Sequence, residues 1–100
     1  MRVVLPPGTR ISIRNANTLT FELPDMQHEC HIYVYTNFVH MSISCTSNLN
    51  QTCESFSFDK RKVSMRWEDI VQTFIEKAVR KYPKPVRHKS VSDERIRRGF

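Results

Sequence analysis

The stretch HIYVYTNFVHMSISC, residues 31–45, alternates in character on both sides of Thr36-Asn37. If these two residues form the turn of a β-hairpin, one register pairs Val34 with Val39 and Tyr35 with Phe38. Successive side chains of a strand point to opposite faces, so this register assigns every residue to one of two faces. The aliphatic face consists of Ile32, Val34, Val39, Met41 and Ile43. The aromatic face consists of His31, Tyr33, Tyr35, Phe38 and His40.

An earlier hairpin is predicted from RISIR, residues 10–14, and TLTFEL, residues 18–23, because both segments alternate. Asn15-Ala16-Asn17 between them is typical of a turn, since asparagine tolerates left-handed backbone angles. A turn of those three residues implies these pairs: Ile13 with Leu19, Ile11 with Phe21 and, on the opposite face, Arg10 with Glu22. RVVL, residues 2–5, predicts a short strand ahead of this hairpin.

The segment after the central hairpin divides into a polar part and an alternating part. TSNLNQT, residues 46–52, is predicted to be a loop because it is almost entirely polar. ESFSFD, residues 54–59, predicts a fifth short strand with Phe56 and Phe58 turned toward the core.

Beyond Ser64 the apolar period changes from 2 to 3.6, which predicts an amphipathic helix. Its apolar stripe consists of Trp67, Ile70, Val71, Phe74, Ile75, Ala78, Val79 and Tyr82. Ser64 is a candidate N-cap, the acidic pair Glu68-Asp69 suits the first turn, and Pro83 ends the helix.

Together these elements predict an α+β domain over residues 1–82. Its core is a four- to five-stranded antiparallel sheet, made of two hairpins plus a short strand, with one C-terminal amphipathic helix packed on one face. Residues 83–100 are predicted to be a basic, mobile C-terminal tail. The helix is expected to cover the aliphatic face, which leaves the aromatic face open.

The composition predicts an intracellular protein, cytoplasmic, nuclear or both. The sequence holds no apolar run of about 18 residues and begins with no signal-peptide pattern. Its three cysteines are odd in number and are expected to be thiols, with Cys30 and Cys45 as small core residues. Small accessory proteins of viruses have a similar composition.

The net charge of +6 is unevenly distributed. Residues 1–59 hold three arginines against five acidic residues, a net −2, and residues 60–100 hold thirteen basic against five acidic residues, a net +8. This asymmetry favours an anionic partner. The predicted contacts to nucleic-acid phosphates are Lys60, Arg61, Lys62, Lys81, Lys84, Arg87 and Lys89.

The open aromatic face has three interpretations. Its rings stack on bases of single-stranded nucleic acid, form a protein interface such as a two-fold dimer of sheets, or only stabilise the hairpin as cross-strand pairs. The residues predicted for stacking or for an interface are Tyr33, Tyr35, Phe38 and His40.

No catalytic or cofactor motif accompanies these features, so a non-enzymatic protein without cofactor is expected. A metal site is not predicted: HECH, residues 28–31, sends Cys30 and His31 to opposite faces, and Cys45 and Cys53 lack a zinc-ligand spacing. Ser90 lies in a basic context and is a candidate phosphorylation site.

The favoured function is a basic binding or regulatory protein that binds RNA or DNA. The alternative is a protein-interaction module that self-associates, or binds a host partner, through the aromatic face.

Overall fold

The computed structural model describes residues 1–85 and confirms the predicted α+β architecture. A five-stranded antiparallel sheet has its strands in chain order, so each strand pairs with its sequence neighbours. The strands are β1 (Ile11–Arg14), β2 (Thr18–Glu22), β3 (His28–Val34), β4 (Phe38–Cys45) and β5 (Asn48–Asp59). A 3₁₀ turn (Lys60–Lys62) and one helix, α1 (Trp67–Lys81), follow. No helix in the described part of the chain is long and apolar enough to span a bilayer.

The central hairpin has the register predicted from its alternation. Val34 pairs with Val39 and Ile32 with Met41, and the backbone N–H of Tyr35 donates to the carbonyl oxygen of Phe38 at 2.8 Å. Thr36-Asn37 is therefore the turn. Only this pairing keeps all aliphatic side chains on one face, so a slip by one residue would expose the core.

The first hairpin differs from its prediction near the turn. Ile11 pairs with Phe21 as predicted, but Ile13 pairs with Thr20 instead of Leu19, because a bulge shifts the register between Ile11 and Ile13. Asn15 accounts for the tighter turn: its N–H donates to the Thr18 carbonyl, and its side-chain oxygen accepts from the Thr18 N–H at 2.8 Å. The shift changes the faces of the last residues of β1.

Two arginines of this hairpin illustrate that change of face. Arg10 meets Glu22 at 3.5 Å, as predicted for the open face. Arg14, now opposite Leu19, lies on the helix side and donates to the Val3 carbonyl oxygen at 2.8 Å.

Residues 2–5 form no strand, contrary to the prediction, and run along the helix instead. The side chain of Gln72 substitutes for a neighbouring strand: its oxygen accepts from the Val4 N–H at 2.7 Å, and its nitrogen donates to the Val4 carbonyl at 3.0 Å. Val3 is buried in the core as a result. Side chains of Glu68, Gln72 and Arg14 thus bind backbone groups of Arg2, Val3 and Val4 that a neighbouring strand would otherwise pair.

The predicted loop over residues 46–52 is mostly strand, because β5 begins at Asn48 and only Thr46-Ser47 remain as a turn. The β4–β5 register shifts twice near this turn, opposite Ser44 and Cys45. Phe58 packs against the core as predicted. Phe56 lies on the helix side, opposite Met41, yet it stays 49% exposed because β5 is the edge of the sheet.

The helix covers the aliphatic face through Val71, Ile75 and Ala78. The buried hydrophobic residues of the strands are Leu19, Phe21, Cys30, Ile32, Val39, Met41 and Ile43, and Leu23 directly after β2 is buried with them. The sidedness predicted from the central hairpin is therefore correct. Ser64 is not the N-cap: the cap position is Arg66, which makes no side-chain capping bond, and the acidic residues of the first turn supply favourable charge there.

Candidate functional site

The tip of the central hairpin exposes two stacked aromatic rings. Tyr35 and Phe38 flank the turn and are 50% and 45% exposed. Their ring centroids lie 4.6 Å apart with 22° between the planes, a cross-strand pair on the open face. Each ring therefore contacts the other on one side and keeps half of its surface accessible.

The 3₁₀ turn holds three basic residues against this hairpin tip. The backbone N–H of Lys60 donates to the carbonyl oxygen of Asn37 at 2.7 Å, and Phe38 pairs with Asp59 across the sheet. These bonds place the basic turn beside the aromatic pair. We call this group the tip surface; it consists of Tyr35, Phe38, Lys60, Arg61 and Lys62.

The three basic side chains of the tip surface differ in the groups that they contact. Asp59 accepts from the Arg61 side chain at 2.8 and 3.0 Å, and these bonds hold the pKa of Asp59 well below its usual range while they raise that of Arg61. Lys60 sits over the Trp67 ring, 4.7 Å from its centroid. Lys62, like Lys60, forms no ion pair within residues 1–85.

The remaining predicted phosphate contacts lie elsewhere. The helix of 15 residues separates Lys81 from the tip surface, a length of about 22 Å. Lys81 pairs with Glu54 at 2.6 Å. Lys84 follows it, beside the loop around Pro24. Arg87 and Lys89, with the candidate phosphorylation site Ser90, lie outside the described residues. The structure thus divides one predicted set into two cationic groups.

Tyr33 and His40 lie further into the open face, and both are half-buried. His40 Nδ1 is 2.6 Å from the hydroxyl oxygen of Ser57. The cross-strand neighbours of this region are mainly small polar residues: Thr18, Thr20, Ser42, Ser55 and Ser57. The centre of the open face is therefore a polar surface, and the accessible aromatic area is concentrated at the tip.

Acidic side chains reduce the attraction of this polar centre for phosphate. Glu22 and Glu29 are cross-strand neighbours there, and His31 meets Glu29 at 3.5 Å. Arg14 points to the other side of the sheet. Arg10, directly before β1, is a cation next to this centre, and Glu22 compensates its charge.

An apolar groove of about 410 Å³ lies between β5 and the helix. Phe56, Met65 and Phe74 line it, and Phe56 and Met65 are exposed. Among the described strands β5 pairs only with β4, so the outer edge of this long strand borders the groove. An added strand along β5 would cover both the edge and the exposed apolar side chains.

At the end of the sheet opposite the tip, three potential metal ligands converge. Ligand atoms of His28, Cys45 and Cys53 lie within 4.8 Å of one another, and the two sulfurs are 3.9 Å apart. His28 pairs directly with Cys45 across the sheet. The motif HECH associates His28 with Cys30 and His31 and does not indicate this cluster. The predicted hairpin register, extended to its end, does place His28 opposite Cys45.

Cys30 is not part of that cluster. It is fully buried in the core, as predicted, and burial raises the pKa of its thiol to about 12. Cys45 is not a core residue, contrary to the prediction: it is half-buried, and Cys53 is exposed, so these two thiols are the accessible ones.

The comparisons with known proteins give no match: no protein-family model, no curated protein and no solved structure is similar to this chain.

Proposed function

We propose that the protein binds single-stranded nucleic acid at the tip surface and performs no chemistry on it. The observation that carries the proposal is the stacked, half-exposed pair Tyr35–Phe38 beside the basic turn Lys60–Lys62. Aromatic rings next to cations are the elements that non-sequence-specific single-strand binding uses, with each base–ring stack contributing about 1–3 kcal/mol.

The basic turn supplies the phosphate contacts in this proposal. Lys62 meets one phosphate directly, and Lys60 meets a second by leaving the face of Trp67. Two neutralised phosphates on a single strand give a slope of about −1.4 for log K against log salt concentration. Binding is therefore expected to be weak to moderate and clearly sensitive to salt.

The second cationic group, at the C-terminal end of the helix, contributes long-range attraction rather than contacts. It lies a full helix length from the tip surface, about 22 Å, and charges are screened over about 10 Å at 0.1 M salt. Lys81 is in addition compensated by Glu54. Removal of a positive charge here should weaken nucleic-acid binding less than removal of one at the tip surface.

A matched pair of charge reversals tests this placement. Lys62→Glu and Lys84→Glu change the net charge equally, but only Lys62 belongs to the tip surface. We expect Lys62→Glu to weaken binding of a fluorescently labelled single strand severalfold more than Lys84→Glu at low salt, measured by anisotropy. Equal losses would show that net charge alone governs binding and would refute the proposed interface.

A matched pair of aromatic substitutions tests base stacking. Phe38 and Phe56 are similarly exposed, at 45% and 49%, but Phe56 lies in the groove on the other side of the sheet. Phe38→Ala should weaken binding about 5- to 150-fold, the equivalent of one lost stack. Phe56→Ala should leave it unchanged.

A second candidate function is self-association, favoured by the exposed edge of β5 and the apolar groove beside it. Two copies would pair their β5 strands antiparallel, and Phe56 of each would be covered. Sedimentation should then show a dimer that Phe56→Lys dissociates and Phe38→Ala does not. A dimer broken instead by Tyr33→Ala or Tyr35→Ala would place the interface on the aromatic face.

A further inference from the structure

We propose that His28, Cys45 and Cys53 form a zinc-binding site, with Asp25 as the residue that positions the histidine. The three ligand residues come from β3, β4 and β5, at the end of the sheet opposite the tip surface. The proposed nucleic-acid interface uses none of them, so the two proposals can fail independently.

The spacing of the ligand atoms fits a tetrahedral zinc ion. Two thiolates at the usual Zn–S distance of about 2.3 Å stand about 3.8 Å apart in tetrahedral geometry. The sulfurs of Cys45 and Cys53 are 3.9 Å apart. All three ligand atoms lie within 4.8 Å of one another, so binding one ion requires movements of only about 1 Å.

Asp25 places a carboxylate on one ring nitrogen of His28, as is common for zinc-ligating histidines in proteins. Its Oδ2 is 2.6 Å from Nδ1 of His28, and its Oδ1 accepts from the backbone N–H groups of Gln27 and His28. With Nδ1 bound to a carboxylate, Nε2 is left as the nitrogen for a metal. The Tyr82 ring packs on the imidazole, with centroids 4.2 Å apart, and further restricts its orientation.

The surroundings of the cluster suit a divalent cation bound by two thiolates. The ligand set neutralises the charge of Zn²⁺, since binding replaces the protons of Cys45 and Cys53 with the metal. Glu54, next to Cys53, is already held by Lys81 at 2.6 Å and by the Tyr82 hydroxyl at 2.8 Å. Because Cys53 is exposed, the fourth position of the ion would be open to water or to a further ligand.

The irregular register of β5 is what brings Cys53 to this position. Glu54 pairs with Ile43, but Ser44 pairs with Thr52, so Cys53 is the extra residue in β5. In a regular ladder Cys53 would face Ser44. The bulge gives its side chain the freedom to approach Cys45.

Zinc binding is measured on the full chain, kept reduced with a phosphine and freed of metal by a chelator. We expect about one equivalent of Zn²⁺ per chain in competition with a chromophoric chelator. Co²⁺ in place of zinc should give the visible bands of tetrahedral coordination and a near-ultraviolet thiolate-to-cobalt charge-transfer band. Absence of stoichiometric zinc binding by the wild-type protein would overturn the proposal.

Two cysteine variants assign the ligands. Cys53→Ala should abolish the charge-transfer band at equimolar cobalt or reduce it to that of a single thiolate, with at least a tenfold loss of zinc affinity. Because Cys53 is exposed, this variant should fold, as far-ultraviolet circular dichroism can verify. Cys30→Ala is the matched control and should keep both bands, since Cys30 lies in the core. Unchanged bands in Cys53→Ala together with lost bands in Cys30→Ala would exclude the proposed ligand set.

Asp25→Asn tests the positioning role separately. Asparagine keeps the side-chain oxygen that accepts the backbone N–H groups, but its NH₂ group cannot accept the proton of His28 Nδ1. Zinc affinity should fall about 10- to 100-fold while the cobalt spectrum keeps its two-thiolate intensity at saturation. An unchanged zinc affinity would remove Asp25 from the proposal, and a lost band at saturation would contradict its role as a positioning residue.

Discussion

Truncation of Ile75 to alanine tests whether the helix and the aliphatic face form the single core of this domain. Ile75 is 1% exposed and lies in the centre of the helix face that packs on the sheet. A buried Ile→Ala change costs about 2–5 kcal/mol, because it removes apolar contacts and leaves a cavity. A domain of 85 described residues has a free energy of unfolding of about 4–13 kcal/mol. The substitution therefore removes a large part of its stability.

Ile13→Ala is the matched control, since the same side chain there is 46% exposed on the edge strand β1. Because only about half of the Ile13 side chain is buried, its truncation should lower the free energy of unfolding by about 1 kcal/mol or less. Urea unfolding followed by the fluorescence of the single tryptophan, Trp67, measures both variants, because this residue begins the helix. Ile75→Ala should also lower Tm by at least about 8 °C. Equal losses in the two variants would refute the assigned sidedness of the sheet.

Three further substitutions examine polar contacts. Gln72→Ala should cost about 1–3 kcal/mol and speed amide exchange at Val4, measured by hydrogen exchange, because both bonds to that backbone are lost. Asp59→Asn should tighten single-strand binding and steepen its salt slope by about 0.7, since Arg61 loses its carboxylate partner; weaker binding would contradict this. Hydrogen bonds from the Lys81 and Tyr82 side chains lower the pKa of Glu54 in the folded state. These bonds stabilise the fold at pH values above the pKa of Glu54 in the unfolded chain, and this stability is lost as the pH falls through the pKa of Glu54 in the folded protein. Glu54→Gln should therefore reduce the loss of unfolding free energy on the acid side of a pH–stability profile, by less than about 1 kcal/mol.

Features that depend on neighbouring residues can be predicted from the order of residues along the chain. Alternation around Thr36-Asn37 allows one hairpin register that separates aliphatic from aromatic side chains, and the structure has this register. The 3.6-residue period over Trp67–Lys81 likewise identifies the helix and the face it buries. Both patterns are local, because backbone geometry sets which side each residue faces.

The way in which distant segments meet could not be predicted from local patterns. The Gln72 side chain replaces a strand partner for Val4, and the bulge in β5 brings Cys53 to Cys45. The bond from Lys60 to Asn37 places the basic turn beside the aromatic tip. Side-chain hydrogen bonds between remote residues and register shifts in an edge strand follow no periodic pattern, and they depend on how the helix and the sheet pack together. The candidate sites therefore follow from packing, whereas the two faces of the sheet follow from the order of residues along the chain.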